Sequence, residues 1–208
     1  MRENGSLPQI KRKAWRLPTK SIAMIASFPS NVTLHHLVEV LLDIDKQLAN
    51  KVKAASCPYC GGNLNNAFYS RKPRGTVLED MGYITRFSLC CRREGCRKRV
   101  LPPSTLFLGR TVYWSCIILV SVALQQLNVK TAEQIEKRFG VPLRTIRRWI
   151  AYYREQYLQS RSWFLRQGFI PLENVNSGAI GRLYHSFMKH HEPLSGLTSF
   201  VRFMGVDP

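Results

Sequence analysis

The chain has 208 residues, a formal net charge of +18 at pH 7 and a pI near 10.1. That length is enough to bury a sizeable core, so the chain does not need the disulfide framework of a small secreted scaffold. So large an excess of positive charge predicts a polyanionic partner, and nucleic acid is favoured over a membrane surface. The longest apolar run, residues 112–124, is shorter than the roughly 18 residues that span a bilayer and predicts a buried helix instead.

The N-terminal region begins with a basic leader, Lys11 to Lys20, followed by a short apolar stretch that Pro29 interrupts. The apolar stretch is too short to resemble a secretory signal, so we expect a cytoplasmic protein. Residues 31–53 then show the apolar spacing of an amphipathic helix that packs either on the ribbon or on a partner chain. Residues 1–54 are the first predicted domain.

Cysteines give the strongest signal in the sequence. Cys57 and Cys60 form one pair, and Cys90, Cys91 and Cys96 follow about thirty residues later. Two cysteine pairs on two tight turns are what a tetrahedral zinc site of four thiolates needs. Disulfides and free structural cysteines are the alternatives. We expect one structural Zn²⁺ in a zinc ribbon over residues 55–110.

The choice of the third ligand depends on a predicted strand over residues 83–91. Its alternation places Cys91 on the same face as Phe87 and Leu89, and that face leads into the metal. The predicted ligands are therefore Cys57, Cys60, Cys91 and Cys96, and Cys90 in place of Cys91 stays open. Glycines beside the cysteines allow backbone amides to point at sulfur. Cys116, in the apolar run, is expected to pack in the core.

A second signal is a helix-turn-helix pattern within a predicted domain over residues 111–168. Thr131 and Gln134 form a capping box that starts one helix, and Gly140 supplies the left-handed residue that ends it. A second helix is predicted over residues 143–157, although Pro142 stands where a Ser or Thr cap is usual. The last predicted domain, residues 169–208, is a helical tail whose apolar spacing is broken by Pro193 and Gly196.

The second helix predicts a DNA-reading surface. Arg144, Arg147 and Arg148 share one side of it, opposite its apolar side, and arginine can form a bidentate contact with guanine in the major groove. Basic residues beside this face would contact phosphates and hold the register. The full predicted set is Lys130, Thr131, Arg144, Thr145, Arg147, Arg148 and Arg154, together with Arg97, Lys98 and Arg99 of the ribbon.

These motifs carry a family resemblance over about half of the chain. The cysteine pairs, the Arg-Lys-Pro-Arg-Gly turn at residues 71–75 and the helix-turn-helix resemble bacterial zinc-ribbon plus helix-turn-helix proteins of mobile elements. The ribbon is similar to the N-terminal zinc ribbons of insertion-sequence transposases. The resemblance implies double-stranded DNA as the ligand and a transposase or recombinase as a partner, with self-association left open. It also implies a bacterial cytoplasmic protein that is associated with the nucleoid.

Catalysis is not expected. Transposase chemistry needs two or three carboxylates around divalent metals, and the sequence offers only four aspartates and no alternation of strands and helices after residue 168. Tyr113, Tyr152 and Tyr153 are conceivable nucleophiles but fit aromatic packing better. We therefore expect an α+β protein, a small zinc ribbon joined to a mainly helical domain, that is a non-catalytic accessory or targeting factor in transposition or integration. A transcriptional repressor is the alternative, and a nuclease or transposase fragment a distant one.

Overall fold

The computed structural model describes residues 31–75, 82–108, 111–127, 132–170 and 178–205. Within these residues the chain is α+β, as predicted, with seven α-helices and two small antiparallel sheets. The helices are α1 (Asn31–Ala54), α2 (Ser115–Leu127), α3 (Ala132–Phe139), α4 (Leu143–Ala151), α5 (Arg161–Gln167), α6 (Ala179–His190) and α7 (Pro193–Gly205). The strands are β1 (Leu64–Asn66), β2 (Tyr69–Arg71), β3 (Ile84–Arg86), β4 (Leu89–Cys91) and β5 (Arg99–Val100). The predicted basic leader lies outside the described residues. Lys130 and Thr131 also lie outside them, so the predicted capping box is described only at Gln134, in α3.

Helix α1 confirms the predicted amphipathic helix and packs within the chain. Leu34, Leu37 and Leu41 recur at helical spacing and are almost fully buried in the main hydrophobic core. Near the other end of the helix, Val52 packs against a second, smaller core. That second core consists of Cys57, Leu64, Leu89 and Cys91. Helix α1 therefore joins two cores.

A buried carboxylate fixes α1 to the segment that precedes α2. Asp45 accepts hydrogen bonds from the Thr105 amide at 2.5 Å, the Thr105 hydroxyl at 2.8 Å and the Ser104 hydroxyl. Burial raises the pKa of Asp45, and these hydrogen bonds oppose that shift. The buried guanidinium of Arg86 also attracts the Asp45 carboxylate, so α1 is tied electrostatically to β3 as well.

The predicted strand over residues 83–91 is wrong as a single element and forms two strands in different sheets. Strand β3 pairs with β2, whereas β4 lies between β1 and β5 in the other sheet. The hairpin bends between the sheets, where the rings of Phe68 and Phe87 pack edge to face with centroids 4.9 Å apart. The predicted alternation holds within β4, because Leu89 and Cys91 are buried and Cys90 is less so.

Helix α2 lies at the centre of the main core and confirms the predicted buried helix, although it begins three residues later than the apolar run. Its side chains from Cys116 to Leu124 are buried on every side, as in a helix enclosed by others. Burial raises the pKa of the Cys116 thiol to about 12, so this cysteine stays protonated at neutral pH, as expected of a packing residue. None of the described helices is both long and apolar enough to cross a membrane.

Helices α3 and α4 form the predicted helix pair. Gly140 between them adopts φ 61° and its amide donates to the Glu136 carbonyl at 2.9 Å, as expected of a left-handed C-cap. The second helix is shorter than predicted in its regular part. A π-helical turn (Tyr152–Gln156) and a 3₁₀ turn (Tyr157–Gln159) follow α4. The wide π turn accommodates the rings of Tyr152, Tyr153 and Tyr157, which pack against one another.

The C-terminal region is part of the main core. Pro193 starts α7, where proline is well tolerated, and Gly196 lies inside that helix without breaking it. A Cβ at Gly196 would lie 2.8 Å from the Phe187 carbonyl oxygen, so the glycine lets α6 and α7 pack closely. Arg166 of α5, almost fully buried, donates to the Phe203 carbonyl at 2.8 Å and thereby satisfies the end of α7.

Candidate metal centre and basic surfaces

Two loops bring four cysteines together at one end of the small core. The first loop follows α1, and its Cys57 amide donates to the Gly62 carbonyl at 2.8 Å. The second loop follows β4, and its Cys91 amide donates to the Lys98 carbonyl at 3.0 Å. Each loop has a left-handed residue directly after its last cysteine, namely Gly61 at φ 69° and Arg97 at φ 43°. We call residues 55–75 and 82–100 the cysteine module.

The geometry of the four sulfurs suits a single metal ion. The Sγ atoms of Cys57, Cys60, Cys91 and Cys96 all lie within 4.8 Å of one another. Cys57 and Cys96 are 3.9 Å apart at sulfur, and Cys60 and Cys91 are 3.5 Å apart. A tetrahedral ion with metal–sulfur bonds of about 2.3 Å requires sulfurs about 3.8 Å apart, whereas a disulfide requires about 2 Å. The four cysteines are free thiols that could bind a metal ion.

Backbone amides support the sulfurs. The Arg93 amide donates to Cys91 Sγ at 3.4 Å. The Gly62 amide donates to the sulfur of Cys60 and lowers the pKa of that thiol to about 7. A side chain at Gly62 would crowd the sulfurs, because its Cβ would lie 3.1 Å from Arg93 Cβ and 3.3 Å from Cys91 Sγ. The predicted role of the glycines beside the cysteines agrees with this arrangement.

Cys90 does not join the cluster. It pairs with Asn65 and Arg99 across the sheet, on the face opposite the small core. Its thiol donates to the Arg97 carbonyl at 3.4 Å. The cluster therefore contains Cys91 rather than Cys90, because β4 turns Cys91 toward Leu64 and Leu89 in the small core.

The predicted DNA-contacting side chains of α4 are on the surface. Arg144, Arg147 and Arg148 are exposed, while Ile146 is fully buried against the core. Thr145 is half-buried. Arg154 of the π turn is exposed, as are Arg97, Lys98 and Arg99 of the cysteine module. The helix pair thus presents a basic face, and α4 contains no acidic residue.

Sequence reasoning missed how α4 is capped. Pro142 provides no side-chain cap, but the carboxylate of Glu136 accepts a hydrogen bond from the Leu143 amide at 3.0 Å. A side chain of α3 therefore satisfies a free amide of α4 and fixes the two helices relative to each other. The missing cap at Pro142 was a signal that a neighbouring acceptor was needed.

Contacts connect the two basic regions. The Arg74 amide, three residues beyond the end of β2, donates to the Val112 carbonyl at 2.7 Å, and Arg74 bridges to Tyr113. The Tyr113 ring in turn packs edge to face on Trp149 of α4, with centroids 5.0 Å apart. A Cβ at Gly75 would lie only 2.3 Å from Ile117, so this segment packs directly on α2.

The candidate tyrosine nucleophiles have packing roles. Tyr153 is buried, and burial raises the pKa of its hydroxyl well above the ordinary value. Its ring lies 4.9 Å from that of Tyr157. Tyr152 packs on both of these rings, and Tyr113 packs on Trp149.

Comparison of the chain with protein-family models, with curated proteins and with solved structures found no match. Functional inference therefore depends on the sequence motifs and on the geometry described above.

Proposed function

We propose that this chain is a non-catalytic protein that binds double-stranded DNA through α4 and holds its cysteine module together with one structural zinc ion. Following the motif resemblance, we further propose that it acts as an accessory or targeting factor of a mobile element. The exposed arginine face of α4 is the single observation that carries the DNA-binding proposal.

Zinc is the proposed ion because four soft thiolates in a tetrahedral arrangement favour it over hard cations. A set of four protein ligands leaves no open position for a substrate, which favours a structural role. Metal analysis of the purified chain should give one zinc per chain. Cys91→Ser should lose that metal, and the matched variant Cys90→Ser should retain it. Full zinc content in the Cys91→Ser protein would contradict the ligand set.

The arginine face matches the major groove in size and charge. Helix α4 has nine residues, which corresponds to a length of about 14 Å, and a major groove about 12 Å wide admits an α-helix. At 100° per residue, Arg144, Arg147 and Arg148 fall within a third of the helix circumference. Ile146 points the other way into the core, so the orientation of the arginines is fixed by packing.

In vitro selection from random duplexes tests DNA binding and identifies the preferred site in one experiment. We expect a consensus sequence for the zinc-loaded chain, and Arg147→Ala and Arg148→Ala should each weaken binding to it by about 1–3 kcal/mol. Arg202→Ala, which removes an exposed arginine of α7, is the matched control and should bind normally. An equal loss on random DNA would make the α4 arginines phosphate contacts rather than base contacts.

The non-catalytic role has its own test. The selected duplex, incubated with the chain and Mg²⁺ or Mn²⁺, should be bound but remain intact. Specific cleavage that disappears with a single carboxylate or tyrosine variant would overturn this part of the proposal and leave DNA binding standing.

A further inference from the structure

Three tyrosine rings of the cysteine module face solvent, and Tyr83 is the most exposed of them at 73%. Tyr59, in the first cysteine loop, is 60% exposed, and Tyr69, on β2, is 36% exposed. Neither ring belongs to either of the two core clusters. Single exposed rings are common on protein surfaces, so exposure alone assigns Tyr59 and Tyr69 no role, and the groups beside each ring decide it.

Each of these rings is paired with a cation. Lys98 Nζ lies 4.6 Å from the ring centroid of Tyr59, and Arg99 Cζ lies 5.7 Å from that of Tyr69. Lys98 and Arg99 are consecutive, with Cα atoms about 3.8 Å apart, so the two rings flank one short segment of backbone. A cation covers only one face of a ring, and the exposure of Tyr59 shows that much of the ring stays open to solvent.

A groove lies beside the second of these rings. It has a volume of about 490 Å³ and is lined by Tyr69, Arg71, Arg99 and Leu101. Its walls thus combine an aromatic ring, an apolar side chain and two guanidinium groups. Flat rings, cations and a groove are the features with which proteins hold single-stranded nucleic acid, where bases stack on rings and cations neutralise phosphates.

A DNA duplex cannot use this surface fully, because its bases are stacked on one another and their faces are hidden. We propose that the cysteine module binds unpaired nucleotides of single-stranded DNA, with bases stacked on Tyr59 and Tyr69 and phosphates at Lys98 and Arg99. This inference takes its class of ligand from the proposed function, but it assigns a second surface, separate from α4, and a different structural form of DNA.

The test measures fluorescence anisotropy of the full, zinc-loaded chain with labelled dT12 at constant salt concentration. Tyr59→Ala should weaken dT12 binding by about five- to a hundredfold, which is the loss expected for one stacked base. Tyr59→Phe keeps the ring and should bind within about twofold of the parent. Phe164→Ala removes a ring that is 72% exposed on α5 and is the matched control, with no change expected. Zinc content is checked for each variant, because Tyr59 lies between two proposed ligands.

A second measurement locates the contact. Oligonucleotides that carry 5-iodouracil, cross-linked by light, should modify Tyr59 or Tyr69 in the mapped peptides. Cross-links confined to other regions, or zinc-loaded Tyr59→Ala protein that binds dT12 within twofold of the parent, would overturn the inference. A loss in Tyr59→Phe as large as that in Tyr59→Ala would also overturn it. The α4 variants separate the two proposals, since Arg147→Ala should weaken duplex binding and leave dT12 binding unchanged.

Discussion

The cysteine module and the helical body, α2 to α7, are held together by different forces. The small core of the module contains two leucines, Leu64 and Leu89, and two cysteines. Full burial of a leucine contributes about 1.5–3 kcal/mol, while ordering the backbone costs about 1–2 kcal/mol for each residue. Two leucines, even with Ile84 of the module packed in the main core, cannot order its 40 residues. The helical body supplies most of the residues of the main core, which it shares with α1.

Removal of the proposed metal should unfold the cysteine module and leave the helical body folded, which is the largest effect that we expect. A strong chelator should abolish hydrogen-exchange protection of the amides in β1 and β4, because structural zinc contributes about 10–16 kcal/mol in small zinc domains. Amides of α2 and α6 should stay protected. Hydrogen exchange with mass spectrometry measures both regions in one sample, and protection of β4 that survives metal removal would show that the module does not depend on the ion.

The converse prediction concerns the helical body. Phe200→Ala should lower the free energy of unfolding by about 3–5 kcal/mol, because Phe200 is fully buried and its ring packs against those of Tyr184 and Phe187. The measurement is urea unfolding followed by circular dichroism. Zinc content should remain at one per chain, since the four sulfurs do not contact this ring. Metal loss in Phe200→Ala would mean that the two cores are more strongly coupled than their packing indicates.

The affinity of the cysteine module for its metal should depend on pH. Burial raises the pKa of the Cys91 thiol to about 12, so without metal this thiol is protonated throughout the neutral range and loses its proton on binding. Metal affinity should therefore fall by at least about tenfold for each unit by which the pH is lowered. The fall should steepen below pH 7, because Cys60, with a pKa of about 7, then carries a further proton to be displaced. Competition with a chromophoric chelator between pH 6 and 8 measures this slope, and an affinity independent of pH would contradict it.

The smallest expected effect lies at the cap of α4. Glu136→Ala removes the acceptor for the Leu143 amide and should lower unfolding free energy by about 1 kcal/mol. Glu136→Gln keeps a hydrogen-bond acceptor, so it should lower the free energy of unfolding by less than Glu136→Ala does. Thermal unfolding compares the two variants, and equal losses would assign the effect to the charge of Glu136 rather than to its hydrogen bond.

The parts of the fold that the sequence predicts are those with a strong local signal. Helix α1, buried helix α2 and the left-handed turn at Gly140 follow from apolar spacing and from glycine. Alternation within one short strand, β4, also predicts that Cys91 joins the cluster and Cys90 does not.

The features that the sequence does not predict depend on contacts between distant residues. The bend between β3 and β4 is set by the ring of Phe68, which belongs to the other arm of the hairpin. The π turn after α4 goes with the packing of tyrosine rings, and the cap on Leu143 comes from a different helix. Lys98 and Arg99 were predicted as DNA contacts, but their aromatic neighbours appear only when the loops are folded.

Helix α1 fixes the small core at a set distance from the main one. Leu34 lies in the main core and Val52 against the small one, and their separation of 18 positions corresponds to about 27 Å of rigid helix. Arg74 and Gly75 hold the cysteine module at a second place, on the segment before α2 and on α2 itself. The module is therefore braced at two separate places, and the direction in which Lys98 and Arg99 point relative to the arginines of α4 is set by α1 and by these contacts together.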